Sequence, residues 1–369
     1  MSQRIFYVKP SIGPREIQLA LEASEQGWGS NSNKYIEIFE SDFSRKVGSE
    51  FAVATSSCTG ALELGLAALD IGPGDEVILA EANWVATLAP IVHTGATPIF
   101  VDILEDSLCL DPIRVRQSIN EKTKAIIATH LYGNLAEMNE LLAIAQEFGL
   151  HLIEDAAEAI GSFYHGKHAG TMGTFGVFSF HGSKTITTGE GGMLVTDDPL
   201  LNARVRQLNN HGRSLTETRQ FVPAEIGYKF KMTNLQAAIG IAQVERFDEL
   251  VARKREILAT YELLLDDLPE IQLNVRQPEC VSGAWMPNAT YSRESGVTRE
   301  VLVDAFAKAS IDARVFFWPL SSLNLVSSES KDYEIADSIA RRSINLHSYH
   351  DMTQVDIERV ANILRSFAI

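Results

Sequence analysis

Short apolar segments, each followed by a helical or turn pattern, constrain the fold of this chain more than any other sequence feature. Residues 51–54 (FAVA) form one such segment, and residues 61–69 then show the apolar spacing of a helix. Residues 149–155 (GLHLIED) form another short apolar run, which ends in two acids. Buried strands that alternate with helices are typical of α/β proteins. The sequence therefore predicts an α/β fold.

The length and the later patterns predict two domains. The chain has 369 residues, which is enough for a large core and a second, smaller unit. We predict a large domain over residues 1–248 and a small α+β domain over residues 249–369. The small-domain patterns are helices at 247–264, 298–309 and 353–367, with strand-like segments at 285–291 and 315–318. A further helix at 234–244 is apolar on more than one face, which suits burial at a subunit contact.

One lysine stands between an apolar run and a glycine-rich loop. Residues 178–192 (FSFHGSKTITTGEGG) place Lys184 there. A lysine amine that a site holds neutral can attack a carbonyl carbon. An aldehyde cofactor such as pyridoxal 5′-phosphate (PLP) needs such an amine to form a Schiff base. Lys184 is therefore the candidate catalytic lysine.

An acid ends the apolar run at 149–155. Ligands of α/β sheets bind beyond the carboxyl ends of the strands, where Asp155 would lie. A carboxylate in that place can keep the pyridine nitrogen of PLP protonated, so that the ring withdraws electrons. The alternative is that Asp155 caps a helix beginning at Ala156. The presence of the Lys184 segment favours the cofactor interpretation.

A third segment predicts a phosphate site. Residues 55–62 (TSSCTGAL) are small and polar and lie between a strand pattern and a helix pattern. Backbone N–H groups at the beginning of a helix, together with the helix dipole, bind phosphate. The alternative is a Ser or Thr cap without a ligand. The sequence alone leaves both interpretations open.

These segments occur in an order that resembles the DegT/DnrJ/StrS family of sugar aminotransferases, within the fold-type I PLP enzymes. The resemblance covers nearly the whole chain. It includes residues 28–33 (WGSNSN), 72–78 (GPGDEVI), 95–102 (GATPIFVD), 130–133 (HLYG), 154–159 (EDAAEA) and 227–234 (GYKFKMTN). The resemblance implies a large α/β/α domain with a mostly parallel, mixed sheet, a smaller carboxyl-terminal domain, and a homodimer with active sites at its interface.

The resemblance also implies roles for individual residues. Lys184 would form the Schiff base, Asp155 would bind the pyridine nitrogen, and Glu158 would lie near the phenolic oxygen. The other implied PLP contacts are Trp84 by ring stacking, Ser179 by its hydroxyl, Cys58 and Thr59 by their backbone amides, and Lys229 at the phosphate. The implied substrate contacts are Trp28, Ser30, His181 and Arg314. For Trp84 the alternative is a core aromatic, for His181 a packing role, and for Arg314 a surface ion pair.

Within the family, the lysine loop and residues 314–320 (RVFFWPL) are most similar to the branch that makes GDP-perosamine. That likeness implies L-glutamate as amino donor and C4 of a nucleotide-linked 4-keto-6-deoxyhexose as acceptor. Four positions depart from the family pattern. Cys58 replaces a common Gly, Lys229 replaces an Asn that a second subunit donates, and Lys231 replaces the usual Arg. His181 stands where the perosamine branch tends to have Phe. Aminotransferases for dTDP- or UDP-sugars, or for a 3-keto position, are the alternatives.

Composition excludes several other classes of protein. With 32 basic and 48 acidic residues, the formal net charge is −16, which is unsuited to nucleic-acid binding. The three cysteines show no spacing for a zinc site or a disulfide framework. No run is long enough to cross a bilayer, and we expect a cytoplasmic enzyme that binds neither membranes nor nucleic acid. A sugar 3-dehydratase would have His in place of Lys184, and a non-catalytic regulatory protein would not need Lys184, Asp155 and Glu158.

Overall fold

A seven-stranded sheet lies at the centre of the computed structural model, which describes residues 4–214, 216–275, 277–278, 280–326 and 333–367. The strands in chain order are β1 (Phe51–Thr55), β2 (Glu76–Ala80), β3 (Thr97–Val101), β4 (Thr123–Thr129), β5 (His151–Asp155), β6 (Phe163–Tyr164), β7 (Lys167–His168), β8 (Phe175–Ser179), β9 (Gly192–Thr196), β10 (Ile271–Gln272), β11 (Cys280–Val281), β12 (Asn288–Tyr291), β13 (Arg314–Val315) and β14 (Ser343–Asn345). The central sheet has the order β1-β9-β8-β5-β4-β2-β3. Strand β9 is antiparallel to both of its neighbours and all other pairs are parallel. The predicted α/β fold is confirmed.

Helices cover both faces of this sheet. The helices of the described residues, in chain order, are α1 (Pro14–Gln26), α2 (Lys34–Val47), α3 (Cys58–Ala68), α4 (Val85–His93), α5 (Pro112–Ser118), α6 (Met138–Phe148), α7 (Pro199–Asn209), α8 (Asn234–Glu245), α9 (Phe247–Leu265), α10 (Arg299–Lys308), α11 (Glu334–Arg342) and α12 (Gln354–Arg365). Of these, α10 and α12 pack in a second core. Two apolar clusters result, one on each face, because each strand buries side chains on both sides. This is the arrangement that parallel sheets require, since both faces must be covered.

A second core lies in the carboxyl-terminal part of the chain. The antiparallel sheet β10-β12-β14-β13 packs against α9, α10 and α12. The amino-terminal Ile5 is buried in this core and pairs with Ile311. Strand β11, in turn, pairs with β6 of the first part. The chain therefore crosses between the two cores more than once, and the division at residue 248 stays a prediction.

The helix predictions for the second core are confirmed, because α9, α10 and α12 occupy the predicted segments within a few residues. The predicted strand at 285–291 is shortened to β12, and the one at 315–318 to β13. Residues 316–318 leave the sheet without hydrogen bonding to β14. They run instead towards the carboxyl ends of the central strands, where Pro319 pairs with Ala82.

Helix α8 corrects one expectation. Its apolar faces are buried within the chain itself, against α1 and α2, and not mainly at a subunit contact. Ala237, Ala238 and Ala242 are fully buried. A Cβ added at Gly240 would lie 2.6 Å from the ring of Phe39, so the two helices approach as closely as a glycine allows. Small residues on several faces indicate close helix packing, and that packing here is intramolecular.

Candidate active site

A cavity of about 320 Å³ lies at the carboxyl end of the central sheet. The ends of β5 and β8, the beginning of α3 and the lysine loop after β8 surround it. Nine of the sequence-predicted site residues line this active-site cavity: Cys58, Thr59, Trp84, Asp155, Glu158, Ser179, His181, Lys184 and Arg314. Residues far apart in the sequence thus form one site, at the edge where α/β sheets bind ligands.

Lys184 points into the active-site cavity. Its Nζ lies 3.2 Å from Glu158 Oε1 and 3.8 Å from the centroid of the Trp285 ring. The lysine side chain is 12% exposed and the Glu158 side chain 8%. Burial raises the pKa of Glu158, and the nearby Lys184 ammonium opposes that rise. The amine is therefore held in one place by a carboxylate and an aromatic ring, within a site that largely excludes water.

Asp155 is the last residue of β5, and its two oxygens are oriented by separate donors. The Thr87 hydroxyl donates to Oδ2 at 2.6 Å, and the Ala157 N–H donates to Oδ1 at 3.1 Å. Residues 156–162 form turns and no helix. The helix-cap alternative for Asp155 is therefore wrong. The carboxylate is therefore held in one orientation in the active-site cavity, where it can accept a hydrogen bond from a protonated nitrogen.

Glu158 also connects the site to a strained backbone. Its Oε2 accepts a hydrogen bond of 3.0 Å from the backbone N–H of Tyr132. Tyr132 has a φ of +58°, which is unfavourable for a bulky residue. Its ring stacks between Trp285, at 6.1 Å, and Phe317, at 5.9 Å. Strain of this kind costs roughly 1–3 kcal/mol and persists where the surrounding contacts offset it.

The beginning of α3 forms the candidate phosphate site. Ser57 caps the helix, with its Oγ accepting from Gly60 N at 3.0 Å, so the cap that the sequence left open exists. Cys58 and Thr59 are the first residues of α3, and they line the same cavity as Ser179. A Cβ added at Gly192 would lie only 2.4 Å from Cys58 N, so β9 must pass here without a side chain. Burial raises the pKa of the Cys58 thiol, which keeps that thiol uncharged.

Trp84 stands on one wall of the active-site cavity. It is 57% exposed, so the alternative of a core aromatic is wrong. Its backbone N–H donates to Asn83 Oδ1 at 2.8 Å, immediately before α4 begins. The ring lies 5.9 Å from Phe317. An indole held in this way offers a face to a flat cationic ring.

His181 and Arg314 lie at the mouth of the active-site cavity. His181 is half exposed, with Nδ1 at 2.9 Å from Ser183 Oγ and Nε2 at 3.7 Å from Glu190 Oε1. The alternative of a packing role for His181 is therefore wrong. The guanidinium of Arg314 lies 4.4 Å from the centroid of the Tyr7 ring. Both side chains line the cavity and are exposed, and their predicted substrate contacts stay predictions.

Lys229, Trp28 and Ser30 are not brought to the active-site cavity of their own chain. Trp28 is 65% exposed, and its Nε1 donates to Ser24 O at 2.7 Å. Ser30 and Lys229 are exposed as well. Asn234 joins the segments that carry these residues, since its Nδ2 donates to Gly27 O at 2.8 Å. Their predicted binding roles remain predictions.

Sequence reasoning missed several residues of the site. Thr87 could have been found, because it lies only three residues after Trp84. Tyr132 lies within the HLYG segment, but nothing in that segment indicates a positive φ. Trp285 and Phe317 come from the carboxyl-terminal part of the chain, and only their folded positions reveal that they pack on Tyr132 at the site.

A second lysine, Lys254 on α9, lies buried close to Lys184. Only 6% of Lys254 is exposed, and its Nζ donates to the backbone oxygen of Ser348. Burial, with a smaller contribution from the Lys184 charge, lowers the pKa of Lys254 from 10.5 to about 7. This lysine was not predicted from the sequence, where it is one of several basic residues along a helix.

The donor set of the active-site cavity fits PLP. It offers one lysine amine, a carboxylate for a pyridinium, an indole wall, and helix N–H groups with a hydroxyl for a phosphate. Among the described residues, no group of three or more His, Cys, Asp or Glu has the arrangement of a metal site. None of the helices in the described ranges is long and apolar enough to cross a membrane.

The chain is similar to known sugar aminotransferases in sequence and in fold. GDP-perosamine synthase of Escherichia coli O157:H7 is 36% identical over 359 residues, which cover 97% of each chain. Spr1654 from Streptococcus pneumoniae, in its PMP form, has a TM-score of 0.91 at 26% identity and matches 99% of this chain and 98% of that chain. DesI, solved in the presence of its TDP-sugar product, has a TM-score of 0.91 at 29% identity over 99% and 93% of the two chains.

The fold and the site together define the class of protein, a PLP-dependent sugar aminotransferase of fold type I. Residues 10–365 match the DegT/DnrJ/EryC1/StrS aminotransferase family, and the chain belongs to that family. The expected PLP dependence and aminotransferase class are thereby confirmed.

Replacing Lys254 tests whether burial lowers the pKa of this lysine. The folded pKa of Lys254, about 7, lies below the 10.5 of an unfolded lysine. Between these values the unfolded chain binds more protons, so this lysine makes stability rise with pH. We compare the unmodified protein with Lys254→Met. From pH 7 towards pH 10, the free energy of unfolding of the unmodified protein should rise more steeply than that of the variant, by up to about 1.4 kcal/mol per pH unit.

Denaturant titrations of both proteins across this pH range measure the difference. Lys308→Met is the matched control, because that lysine side chain is 75% exposed. Its stability profile should stay parallel to that of the unmodified protein. A Lys254→Met profile that is also parallel would contradict the prediction.

Proposed function

We propose that this enzyme moves an amino group from L-glutamate to C4 of a nucleotide-linked 4-keto-6-deoxyhexose, with GDP as the nucleotide. The observation that carries the proposal is the amine of Lys184, which lies 3.2 Å from Glu158 in the cavity that also contains Asp155. The sugar and the nucleotide are supported by the 36% identity to a GDP-perosamine synthase over almost the whole chain.

The position of each residue in the cavity indicates its role. Bound PLP supplies a reactive aldehyde and an electron-withdrawing ring. Lys184 is the only lysine among the described residues that line the cavity, so its Nζ would hold the aldehyde. A lysine amine in that place can also move a proton as general base and acid. Asp155, oriented by Thr87, would accept a hydrogen bond from the protonated pyridine nitrogen, and Glu158 holds the amine in place.

The nucleotide is the least constrained part of the proposal. His181 stands where the perosamine branch tends to have Phe, which weakens the choice of GDP. DesI, at 29% identity, was solved with a TDP-sugar product. An enzyme for dTDP- or UDP-sugars, or for a 3-keto position, is therefore the second candidate. A non-catalytic regulatory protein is disfavoured, because the cavity retains Lys184, Asp155 and Glu158 together.

We further propose a homodimer in which each cavity receives residues from the partner subunit. Trp28, Ser30 and Lys229 lie outside the cavity of their own chain, although the family resemblance gives them binding roles. Large apolar side chains near Lys229 are exposed, with Phe221 at 87% and Ile226 at 97%. A surface of this kind is typical of a protein–protein interface.

Removal of the active-site amine tests the catalytic assignment. Lys184→Ala should lower the rate of the glutamate half-reaction by at least about 10²- to 10⁴-fold, the usual contribution of general acid–base catalysis. After borohydride reduction, mass spectrometry should find the cofactor on the Lys184 peptide of the unmodified protein only. The exposed Lys308 provides the control, and Lys308→Ala should behave like the unmodified enzyme. Full turnover by Lys184→Ala would remove the basis of the proposal.

A substrate panel tests the acceptor. The enzyme in its amino-loaded form is offered 4-keto-6-deoxyhexoses linked to GDP, dTDP and UDP, and a 3-keto isomer. We expect the highest kcat/KM with the GDP-linked 4-keto sugar, and NMR of the product should place the amine on C4. A clear preference for dTDP or UDP, or an amine on C3, would favour the second candidate.

Mixing two inactive variants tests the shared site. Lys229→Ala should bind PLP weakly, because a phosphate loses a positive point charge. When it is refolded together with Lys184→Ala, mixed dimers contain one site with both lysines intact, provided that Lys229 acts across the interface. The mixture should regain activity that neither variant has alone. No recovery in a sample shown to contain mixed dimers would mean that Lys229 serves its own chain or none.

A further inference from the structure

An exposed tryptophan directly follows a residue that lines the active-site cavity, and the chemistry described above gives it no role. Trp318 is 51% exposed, whereas the preceding Phe317 lines the cavity and packs against Trp84. Consecutive Cα atoms are about 3.8 Å apart, so the indole begins within one residue of the cavity wall. Arg314, at the mouth of the cavity, lies four residues earlier on the same segment.

One face of the Trp318 ring is covered by a buried cation. The guanidinium carbon of Arg299 lies 3.5 Å from the ring centroid, and Arg299 is only 3% exposed. Its polar contacts run to Glu300 Oε1, at 3.2 and 3.3 Å. Nη1 is buried and has no hydrogen-bond partner among the described residues. Burial of a guanidinium without full hydrogen bonding costs free energy. The positive charge on one face of the ring also withdraws electron density from the opposite, exposed face.

In two other arginine–aromatic pairs among the described residues, the arginine is exposed. Arg116 lies 5.5 Å from the centroid of the Phe148 ring, and its side chain is 47% exposed. Arg4 lies 5.6 Å from the Phe6 ring and is 65% exposed. Those pairs are surface contacts in which the arginine remains in water. Trp318 instead rests on a cation that the fold has buried.

The segment that presents Trp318 is fixed at both ends. Before it, Val315 pairs with Ile344 in the second core. After it, Leu320 N donates to the Glu81 backbone oxygen at 3.0 Å, and Ser321 N donates to Glu81 Oε1, also at 3.0 Å. Glu81 is fully buried at the end of β2. The exposed indole is therefore held rigidly, which lowers the entropy lost when a ligand binds to it.

We propose that Trp318, supported by Arg299, is the platform on which the base of the nucleotide-linked sugar stacks. The inference rests on the proposed function for the presence of a nucleotide, and it goes further by assigning the base subsite. The sugar would lie near Lys184, the diphosphate would pass Arg314, whose guanidinium can bind phosphate oxygens, and the base would reach the exposed face of Trp318. An electron-poor indole face suits an electron-rich nucleobase.

Binding measurements on the PLP-loaded enzyme test the platform. Isothermal titration with GDP, dTDP and UDP identifies the nucleotide that binds most tightly, and inorganic pyrophosphate serves as the ligand without a base. Trp318→Ala should weaken the best nucleotide by about 5- to 150-fold, the range expected for loss of one base–aromatic stack. Trp318→Phe should retain most of the affinity, and Arg299→Met should lose part of it. Pyrophosphate binding should not change.

Kinetics separate this role from a merely structural one. In Trp318→Ala the KM for the sugar nucleotide should rise by a similar factor, while the rate of the glutamate half-reaction stays unchanged. Phe148→Ala, which removes an exposed aromatic beside an arginine away from the cavity, should alter neither quantity. Unchanged nucleotide affinity in Trp318→Ala, or an equal loss for pyrophosphate, would overturn the platform. If the unmodified enzyme bound none of the three nucleotides, the proposed function itself would fail.

Discussion

The geometry of the active site depends on one fully buried carboxylate, Glu154. It accepts hydrogen bonds from His130 Nε2 at 3.0 Å and from the backbone N–H groups of Gly170, Met172 and Gly173 at 2.6–2.7 Å. Burial by itself raises the pKa of Glu154, but these donors hold it below its usual range. A buried charge is tolerated only when it is paired and hydrogen-bonded in this way. Because Asp155 is the next residue, the same contacts help to fix the carboxylate that lines the active-site cavity.

From Glu154 the constraint extends into the rest of the site. His130 Nδ1 accepts from Ala136 N, so its other nitrogen carries the proton towards Glu154. This anchors both ends of the turn that contains Tyr132, whose N–H binds Glu158. Glu158 in turn holds Lys184. A chain of buried polar contacts thus links the ends of β4 and β5 to the reactive amine, and each member is positioned by the one before it.

The carboxyl-terminal part of the chain meets the central sheet at this site. Trp285 and Phe317 pack on the ring of Tyr132. Trp285 Nε1 also donates to Ser183 O at 2.8 Å, next to Lys184. The candidate catalytic groups lie near the ends of the central strands, while Arg314 and Phe317 of the carboxyl-terminal part also line the cavity. A family can change its sugar or nucleotide through the rim and leave the catalytic groups untouched.

The sequence by itself determined the α/β fold and the helices α3, α8, α9, α10 and α12, and it predicted Lys184 and Asp155 as candidate site residues, because local periodicity and short motifs encode strands, helices and reactive side chains. It misjudged the surroundings of α8, since that question concerns which surfaces meet. Only the tertiary structure decided that Lys254 lies near Lys184 and that the Arg299 guanidinium lies over a face of the Trp318 ring. Such pairs join residues whose proximity follows from packing between distant segments, and no local pattern records that packing.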